Sequence, residues 1–104
     1  MLRGEIWWVE LSPPAGRRPV VLLSRNEAYV VRNAVTVAPI TSTIRGIPVE
    51  VLLGPEDGLP KRCAANLDTI VTIRKALLRE RITALRQDKI DALADAVKFA
   101  LALE

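Results

Sequence analysis

The chain has 104 residues, half of them hydrophobic and 26% charged, so it is long enough and apolar enough to fold as one domain, residues 1–104. One cysteine and no histidine exclude an internal disulfide and histidine-dependent catalysis, and they leave too few ligands for a typical zinc site. The formal net charge is +3, and arginine supplies eleven of the fifteen cations. This composition suits contact with phosphate groups, and a GC-rich genome would give the same arginine bias.

Nothing in the sequence predicts export or membrane insertion. No apolar run approaches the roughly 20 residues of a transmembrane helix, and charges at Arg3, Glu5 and Glu10 are foreign to a secretory signal. The single Cys63 is typical of a reducing compartment, and its apolar neighbours favour a core position over a nucleophilic role. We therefore predict a cytoplasmic protein without a membrane segment.

Residues 3–11 have the alternating pattern of a first strand. Trp7, Val9 and Leu11 share a fully apolar face, which we expect to pack on the core. Ile6 and Trp8 then lie on the opposite face, where an exposed tryptophan serves as a binding hot spot, as a dimer contact or for peripheral packing. The turn-rich segment 12–17 follows this strand.

The second strand is the central element of the prediction. Pro19 opens a run of five apolar residues that ends at Leu23, which is typical of a strand buried on both faces. Arg17 and Arg18 precede this run, so the Arg18 guanidinium stands at the mouth of a rigid element. Its planar fork is suited to bidentate binding of a phosphate, although a solvated charge at a strand end is the plainer alternative.

Residues 25–33 predict a helical turn or an irregular loop that covers Tyr29 and Val30. Residues 34–40 read as a third strand, and Pro39 places its end at a sheet edge or a bulge.

A hydroxyl cluster follows the third strand directly, with a cation close behind it: Thr41, Ser42, Thr43 and Arg45. Two interpretations are open for it, a polar binding patch or the ordinary chemistry of a turn, in which hydroxyls bond to nearby backbone.

The second half of the chain predicts three more β segments, which precede a stretch where apolar residues recur at helical spacing. They comprise residues 48–53, with Val49, Val51 and Leu53 on one face; 61–73, entered through Lys61 and Arg62; and 80–85. A helical turn at 74–78 separates the last two. Asn66 and Asp68 either read base edges or cap a bend in the strand.

Apolar residues then recur at helical spacing and predict a terminal helix over about 88–103. About six short strands and one helix indicate a mainly β protein of the α+β class, folded as a small, strongly bent sheet or partly closed barrel with the helix packed on it.

Several short motifs, in this order, resemble the MazF/PemK family of toxin endoribonucleases across essentially the whole chain. They are Arg3-Gly4-Glu5-Ile6-Trp7, Arg18-Pro19-Val20-Val21, Ala38-Pro39-Ile40-Thr41-Ser42, Gly58-Leu59-Pro60-Lys61, Asp68-Thr69-Ile70-Val71-Thr72 and Arg81-Ile82-Thr83-Ala84-Leu85. Each motif is weak alone, but their joint order and spacing are specific.

The resemblance implies an SH3-like, plasmid-maintenance-toxin barrel that forms a homodimer and cleaves single-stranded RNA without a metal or cofactor. It also implies a cognate antitoxin whose acidic segment lies across the RNA groove. Arg18 and Thr41 match the family's catalytic positions. Further RNA-binding candidates are Trp8, Arg17, Ser42, Arg45, Lys61, Arg62, Asn66 and Asp68.

The expected chemistry is attack of the RNA 2′-hydroxyl on the adjacent phosphorus, which gives a 2′,3′-cyclic phosphate and a 5′-hydroxyl. Arg18 would stabilise charge on the phosphorane, because a guanidinium with a pKa above about 12 is a poor base. Thr41 would position the 2′-hydroxyl or the phosphate.

The family pattern is not matched everywhere. Many members have a longer first connection with an acidic residue, whereas residues 12–17 contain none, so no catalytic carboxylate is expected from this loop. Two alternatives from other classes are a gyrase-poisoning toxin of the CcdB branch and a non-catalytic nucleic-acid-binding barrel.

Overall fold

A computed structural model describes residues 1–103 and places seven strands and two α-helices in them. In chain order these are β1 (Glu5–Glu10), β2 (Arg17–Leu22), α1 (Ala28–Val31), β3 (Ala34–Thr41), β4 (Glu50–Leu53), β5 (Cys63–Asn66), β6 (Val71–Arg74), β7 (Leu78–Ala84) and α2 (Gln87–Ala100). Three short 3-10 turns connect them, at Pro55–Asp57, Leu67–Thr69 and Lys75–Leu77.

The strands form one antiparallel sheet in the order β4-β5-β3-β2-β1-β7, with β6 paired to β3. β3 is long enough to hold two partners on one side, because its first half pairs with β6 and its last two residues pair with β5. The strands at the two ends of this order, β4 and β7, do not pair with each other. The predicted mainly β fold with a C-terminal helix is confirmed as a bent sheet that stays open.

Two hydrophobic clusters cover the two faces of the sheet, and β2 contributes to both. Val21 belongs to the cluster under α2, together with Leu93 and Ala96 of that helix. Val20 and Leu22 belong to the cluster on the other face, together with Tyr29 of α1. Since successive side chains of a strand point to opposite faces, the predicted two-sided burial of β2 is confirmed.

Pro39 lies where β3 changes partner. The ladder with β6 ends at Val37 and the ladder with β5 begins at Ile40, so the missing N–H of Pro39 falls in an unpaired interval on that side. This is the physical reason that a proline is tolerated in an otherwise central strand.

Several local predictions were wrong. The β segment predicted over 61–73 is two strands, because the turn at Leu67–Thr69 redirects the chain and β6 leaves β5 to pair with β3. Val30 is 83% exposed rather than covered, since the short helix α1 turns only Ala28 and Tyr29 inward. Ile6 is fully buried, because α2 covers the sheet face that the strand pattern had left outside.

Helix α2 ends at Ala100, before the predicted position 103, and its inward face holds Leu93 and Ala96. No helix in the part of the chain that the structure describes, residues 1–103, has both the length and the apolar character needed to cross a bilayer.

Candidate functional site

The start of β2, the end of β3 and the approach to β5 meet at one end of the sheet. In the β2–β3 ladder Val20 pairs with Pro39, and the same register continued by two residues sets Arg18 opposite Thr41. On the other side of β3, Thr41 pairs with Ala64 of β5, and Lys61 precedes that strand. Residues far apart in sequence are therefore gathered by strand pairing.

A cleft of about 390 Å³ opens at this end of the sheet, and we call it the basic cleft. Its apolar lining residues, here called the floor, are Pro19, Ile40, Leu59, Pro60, Cys63 and Ile82. Its walls carry the polar and aromatic side chains of Trp8, Arg17, Arg18, Thr41, Ser42 and Lys61. Six of the ten residues predicted for the site thus line one cavity.

Arg18 is exposed at the mouth of this cleft and makes no ion pair within residues 1–103. Its Nη1 donates to the backbone oxygen of Arg17 at 3.1 Å, which leaves the guanidinium's other donors for a ligand. Arg18 and Thr41 also share a second, more apolar cavity of about 490 Å³ on the other side of Pro19. Arg18 and Thr41 therefore lie between the two cavities and line both of them.

Thr41 is the last residue of β3, and its hydroxyl oxygen accepts a hydrogen bond from the backbone N–H of Thr43 at 3.1 Å. This is the turn chemistry that the hydroxyl cluster predicted as one alternative. It orients the side chain without consuming the hydroxyl proton, which is free to be donated. The turn and a binding role are therefore compatible.

Glu50 fixes the loop that follows Thr41. Its Oε1 accepts hydrogen bonds from the backbone N–H groups of Arg45 and Gly46, at 3.0 and 2.9 Å. Sequence reasoning missed this role, because a glutamate at the start of a strand gives no sign of which loop it will hold.

Trp8, Arg17 and Glu80 form a stack at the rim of the cleft, here called the Trp8 stack. The Arg17 guanidinium carbon lies 4.8 Å from the centroid of the Trp8 ring, and Arg17 Nη2 is 3.1 Å from Glu80 Oε1. Glu80 was also missed from the sequence, since only the β1–β7 register brings it opposite Trp8.

Lys61 reaches the cleft after a turn that needs glycine. Gly58 has φ +89°, and a Cβ there would lie 2.5 Å from the Thr83 hydroxyl oxygen. Because other residues rarely adopt this conformation, Gly58 fixes the path of the segment that leads to Lys61.

Cys63 contributes to the floor of the cleft and is 7% exposed. Burial, assisted by the charge of Asp57, raises the pKa of the Cys63 thiol. The thiol is thus kept neutral, which agrees with the predicted core position and is unfavourable for a nucleophile.

The other four predicted site residues lie around the cleft rather than in it. Arg45 and Asn66 line a small neighbouring pocket of about 210 Å³ that also reaches Thr41. Asn66 Oδ1 accepts from the backbone N–H of Asp68 at 2.9 Å and so caps the turn after β5. Asp68 and Arg62 are exposed and line neither cavity.

Within residues 1–103, no three histidine, cysteine, aspartate or glutamate side chains are grouped in a way that could hold a metal ion. Apart from the buried Cys63 thiol, the functional groups that line the cleft are guanidinium, ammonium, hydroxyl and indole. This set can bind and polarise a phosphodiester, and its apolar floor can contact bases or riboses.

Comparison with known proteins places this geometry in a family. A profile described as "PemK-like, MazF-like toxin of type II toxin-antitoxin system" matches residues 2–101. The protein "Probable endoribonuclease MazF5" of Mycobacterium tuberculosis is 42% identical over 100 residues, which cover 95% of this chain and 91% of that protein.

Two solved structures resemble the fold over nearly its full length. "Mycobacterium tuberculosis toxin MazF-mt6" superposes with a TM-score of 0.88 at 33% identity, covering 96% of this chain and 98% of that one. "Endoribonuclease in complex with its cognate antitoxin from Mycobacterial species" gives a TM-score of 0.89 at 28% identity, covering 100% and 97%. The family predicted from the ordered motifs is confirmed, and the chain belongs to the PemK-like, MazF-like toxins of type II toxin-antitoxin systems.

Proposed function

We propose that this chain, acting as one domain, is an endoribonuclease toxin that cleaves single-stranded RNA in the basic cleft, with Arg18 and Thr41 as its catalytic residues. The observation that carries this proposal is their common cleft: the Arg18 guanidinium, which has no ion pair within residues 1–103, and the oriented Thr41 hydroxyl line one cavity from neighbouring strand ends. The relatives named as endoribonucleases support the same activity.

The chemistry follows from the groups present. The 2′-hydroxyl oxygen attacks the adjacent phosphorus, the bond to the 5′-oxygen breaks, and the products end in a 2′,3′-cyclic phosphate and a 5′-hydroxyl. Negative charge grows on the non-bridging oxygens as the phosphorane forms. Arg18 stabilises that charge, an effect that contributes roughly 3 to 4 kcal/mol per preorganised donor in other enzymes. Thr41 orients the 2′-hydroxyl or the phosphate.

Charge distribution supports RNA as the substrate. Arg17, Arg18 and Lys61 line the cleft, and among the described residues 1–103 only Arg17 of these three is paired with a carboxylate. Phosphates of a single strand would neutralise the other two cations, while the apolar floor and Trp8 offer surfaces for unstacked bases. Ser42, Arg45, Lys61, Arg62, Asn66 and Asp68 remain candidates for contacts along the strand.

The proposed cellular setting is cytoplasmic. A solved relative is in complex with its cognate antitoxin, and we infer that an acidic antitoxin segment occupies the basic cleft of this chain and competes with RNA. We also propose that the toxin acts as a homodimer. Light scattering of the purified toxin should then give twice the chain mass of 11.5 kDa.

The activity is tested by incubating the purified chain with a mixed pool of single-stranded RNA in EDTA. We expect discrete fragments that carry 2′,3′-cyclic phosphate and 5′-hydroxyl ends. Tight binding without fragments would instead support a non-catalytic binding protein. Stabilised gyrase–DNA breaks in a supercoiled-plasmid assay, together with intact RNA, would support the gyrase-poisoning alternative.

A further inference from the structure

Arg17 differs from the other two cations of the basic cleft because it belongs to the Trp8 stack. Arg17 is held on two sides, over the Trp8 ring at 4.8 Å and against Glu80 at 3.1 Å. Arg18 and Lys61 line the same cleft without an ion pair in residues 1–103. The cleft therefore presents two cations without an ion pair in residues 1–103 and a third, Arg17, that is paired with the exposed carboxylate of Glu80.

Strand register explains why these three side chains meet. Trp8 pairs with Pro19 on β2 and with Glu80 on β7, so these residues share one face of the sheet. Arg17 lies two residues before Pro19 and therefore points to that same face. The stack is a cross-strand arrangement across three strands rather than a chance contact between long side chains.

A second carboxylate on the same face of the sheet, that of Glu10, does not pair with Arg17. Glu10 is the residue directly opposite Arg17 in the β1–β2 ladder, and it shares the face of the stack. Its carboxylate makes no ion pair with Arg17, which pairs with Glu80 instead. This geometry is what keeps the guanidinium over the indole, because Glu80 lies opposite Trp8 while Glu10 lies farther along β1.

Holding Arg17 in this way changes what it can bind. With one edge on Glu80 and one face on Trp8, the guanidinium is a poor partner for a phosphate but still offers its outer face. Arginine planes and aromatic rings are the surfaces on which unpaired RNA bases stack. The stack thus adds a base-binding surface at the rim of a cleft whose interior binds the backbone.

We propose that Glu80 is a positioning residue for RNA binding: it holds Arg17 over Trp8 and thereby reserves this arginine for a base instead of a phosphate. The inference rests on the proposed nuclease function and adds a residue to it. Glu80 touches neither the phosphate nor the reacting oxygens in this account. Its removal frees Arg17 to act as an additional phosphate-binding cation.

The test measures how binding depends on salt and on bases. The probe is a fluorescein-labelled ten-nucleotide RNA with 2′-O-methyl riboses, which lacks the attacking hydroxyl. The proteins are the wild-type chain, Glu80→Gln, the matched control Glu10→Gln, Arg17→Gln and the Arg17→Gln/Glu80→Gln double variant. Circular dichroism checks that each variant is folded, which we expect because Glu80 and Glu10 are both exposed.

For Glu80→Gln we expect the slope of log affinity against log salt to steepen by about 0.7, the value for one additional phosphate contact on a single strand. We also expect a smaller loss of affinity when one nucleotide is made abasic, scanned through the ten positions. Glu10→Gln removes the same charge from the same face and should leave both readouts unchanged. The effect of Glu80→Gln should vanish in the Arg17→Gln background.

Three outcomes overturn the proposal. One is an equal response of Glu80→Gln and Glu10→Gln, which would indicate general charge repulsion, and another is no response of either. The third is a Glu80→Gln effect that persists without Arg17. Cleavage of the unmodified RNA by the wild-type chain distinguishes failure of the nuclease proposal from failure of the Glu80 proposal. A wild-type chain that neither binds nor cleaves RNA overturns both proposals. An active wild-type chain with unresponsive variants overturns only the role of Glu80.

Discussion

Two of the molecule's cavities differ in how their charged side chains are paired. The basic cleft, about 390 Å³, carries three cations, of which Arg18 and Lys61 have no carboxylate partner in residues 1–103. A groove between β4 and α2, here called the helix groove, is larger at about 610 Å³ and carries three carboxylates and one cation. Size alone would favour the helix groove as the binding site.

The charges of the helix groove are mostly satisfied within the protein. Lys89 donates to the backbone oxygen of Leu52 at 2.7 Å and lies 3.7 Å from the buried carboxylate of Asp57. Glu50 holds two backbone N–H groups, and a hydrogen bond from Arg86 lowers the pKa of Asp88. The comparison shows that unpaired positive charge, rather than volume, distinguishes the basic cleft, and this charge is what favours it as the proposed site for a polyanion.

The largest expected effect is the loss of cleavage in Arg18→Ala. Removing one preorganised donor from a phosphorane should reduce turnover about 10²- to 10³-fold, while the exposed position of Arg18 predicts an intact fold. Single-turnover cleavage of a defined RNA measures the rate. Arg32→Ala, a change at an exposed arginine outside the cleft, serves as the control and should cleave normally. Wild-type turnover by a folded Arg18→Ala protein would contradict the assignment.

The next effect is expected at Thr41. Thr41→Val keeps the shape but removes the hydroxyl, and a hydrogen bond to a charged group contributes about 1.5 to 3 kcal/mol, which corresponds to a rate loss of roughly ten- to a hundredfold. Thr41→Ser should retain most of the activity. Thr43→Val is the matched control, because only the backbone N–H of Thr43 takes part in the turn. Equal losses at positions 41 and 43 would point to loop disorder instead.

A change in the helix groove should act on stability and not on catalysis. Lys89→Met leaves the buried Asp57 carboxylate without its cation, so we expect a loss of about 1 to 3 kcal/mol in the free energy of unfolding, measured in urea. Lys98→Met, an exposed position on the same helix, should cost far less. A reduced cleavage rate in fully folded Lys89→Met protein would break the distinction between the two grooves.

Two adjacent cations offer a finer test of the cleft boundary. Lys61 lines the basic cleft and Arg62 does not. Lys61→Ala should raise KM a few-fold with little change in kcat and lower the salt slope by about 0.7. Arg62→Ala removes the same charge one position along and should change these values less. The reverse ranking would mean that the RNA follows a different wall of the cleft.

The smallest effect on cleavage is expected at Cys63. Its buried thiol serves packing, so Cys63→Ala should leave kcat unchanged and cost about 1 kcal/mol of stability near pH 8. Because burial raises the thiol pKa in the folded state, the unfolded chain ionises first and wild-type stability falls as the pH rises through 9. The stability gap between wild type and Cys63→Ala should therefore narrow in urea titrations at increasing pH. A widening gap would contradict this role.

The elements that local sequence patterns predicted correctly are those whose buried residues recur with a simple period. The apolar run after Pro19 gave β2, and the helical spacing after position 88 gave α2. Predictions failed where tertiary packing overrides the local pattern. Nothing in residues 67–70 indicates that β6 will pair with β3 instead of continuing β5. The burial of Ile6 depends on a helix some 80 positions away.

The residues of the candidate site likewise fall into those that the sequence indicated and those that only the tertiary structure brings together. Composition and strand position made Arg18 and the hydroxyl cluster candidates, but the family resemblance was needed to single out Thr41. Glu80 could not be found at all, because it is 63 positions from Arg17 and meets it only through the register of three strands. Glu50 was hidden for a similar reason, since its partners are backbone N–H groups, which a sequence does not distinguish.

The most direct test of the account is a crystal structure of the chain with a short RNA that has a 2′-deoxy substitution at the cleaved nucleotide. We predict that the scissile phosphate lies within hydrogen-bond distance of the Arg18 guanidinium, with Thr41 beside the position of the missing 2′-hydroxyl. A scissile phosphate seated in the helix groove, or in the basic cleft but out of reach of Arg18, would contradict it.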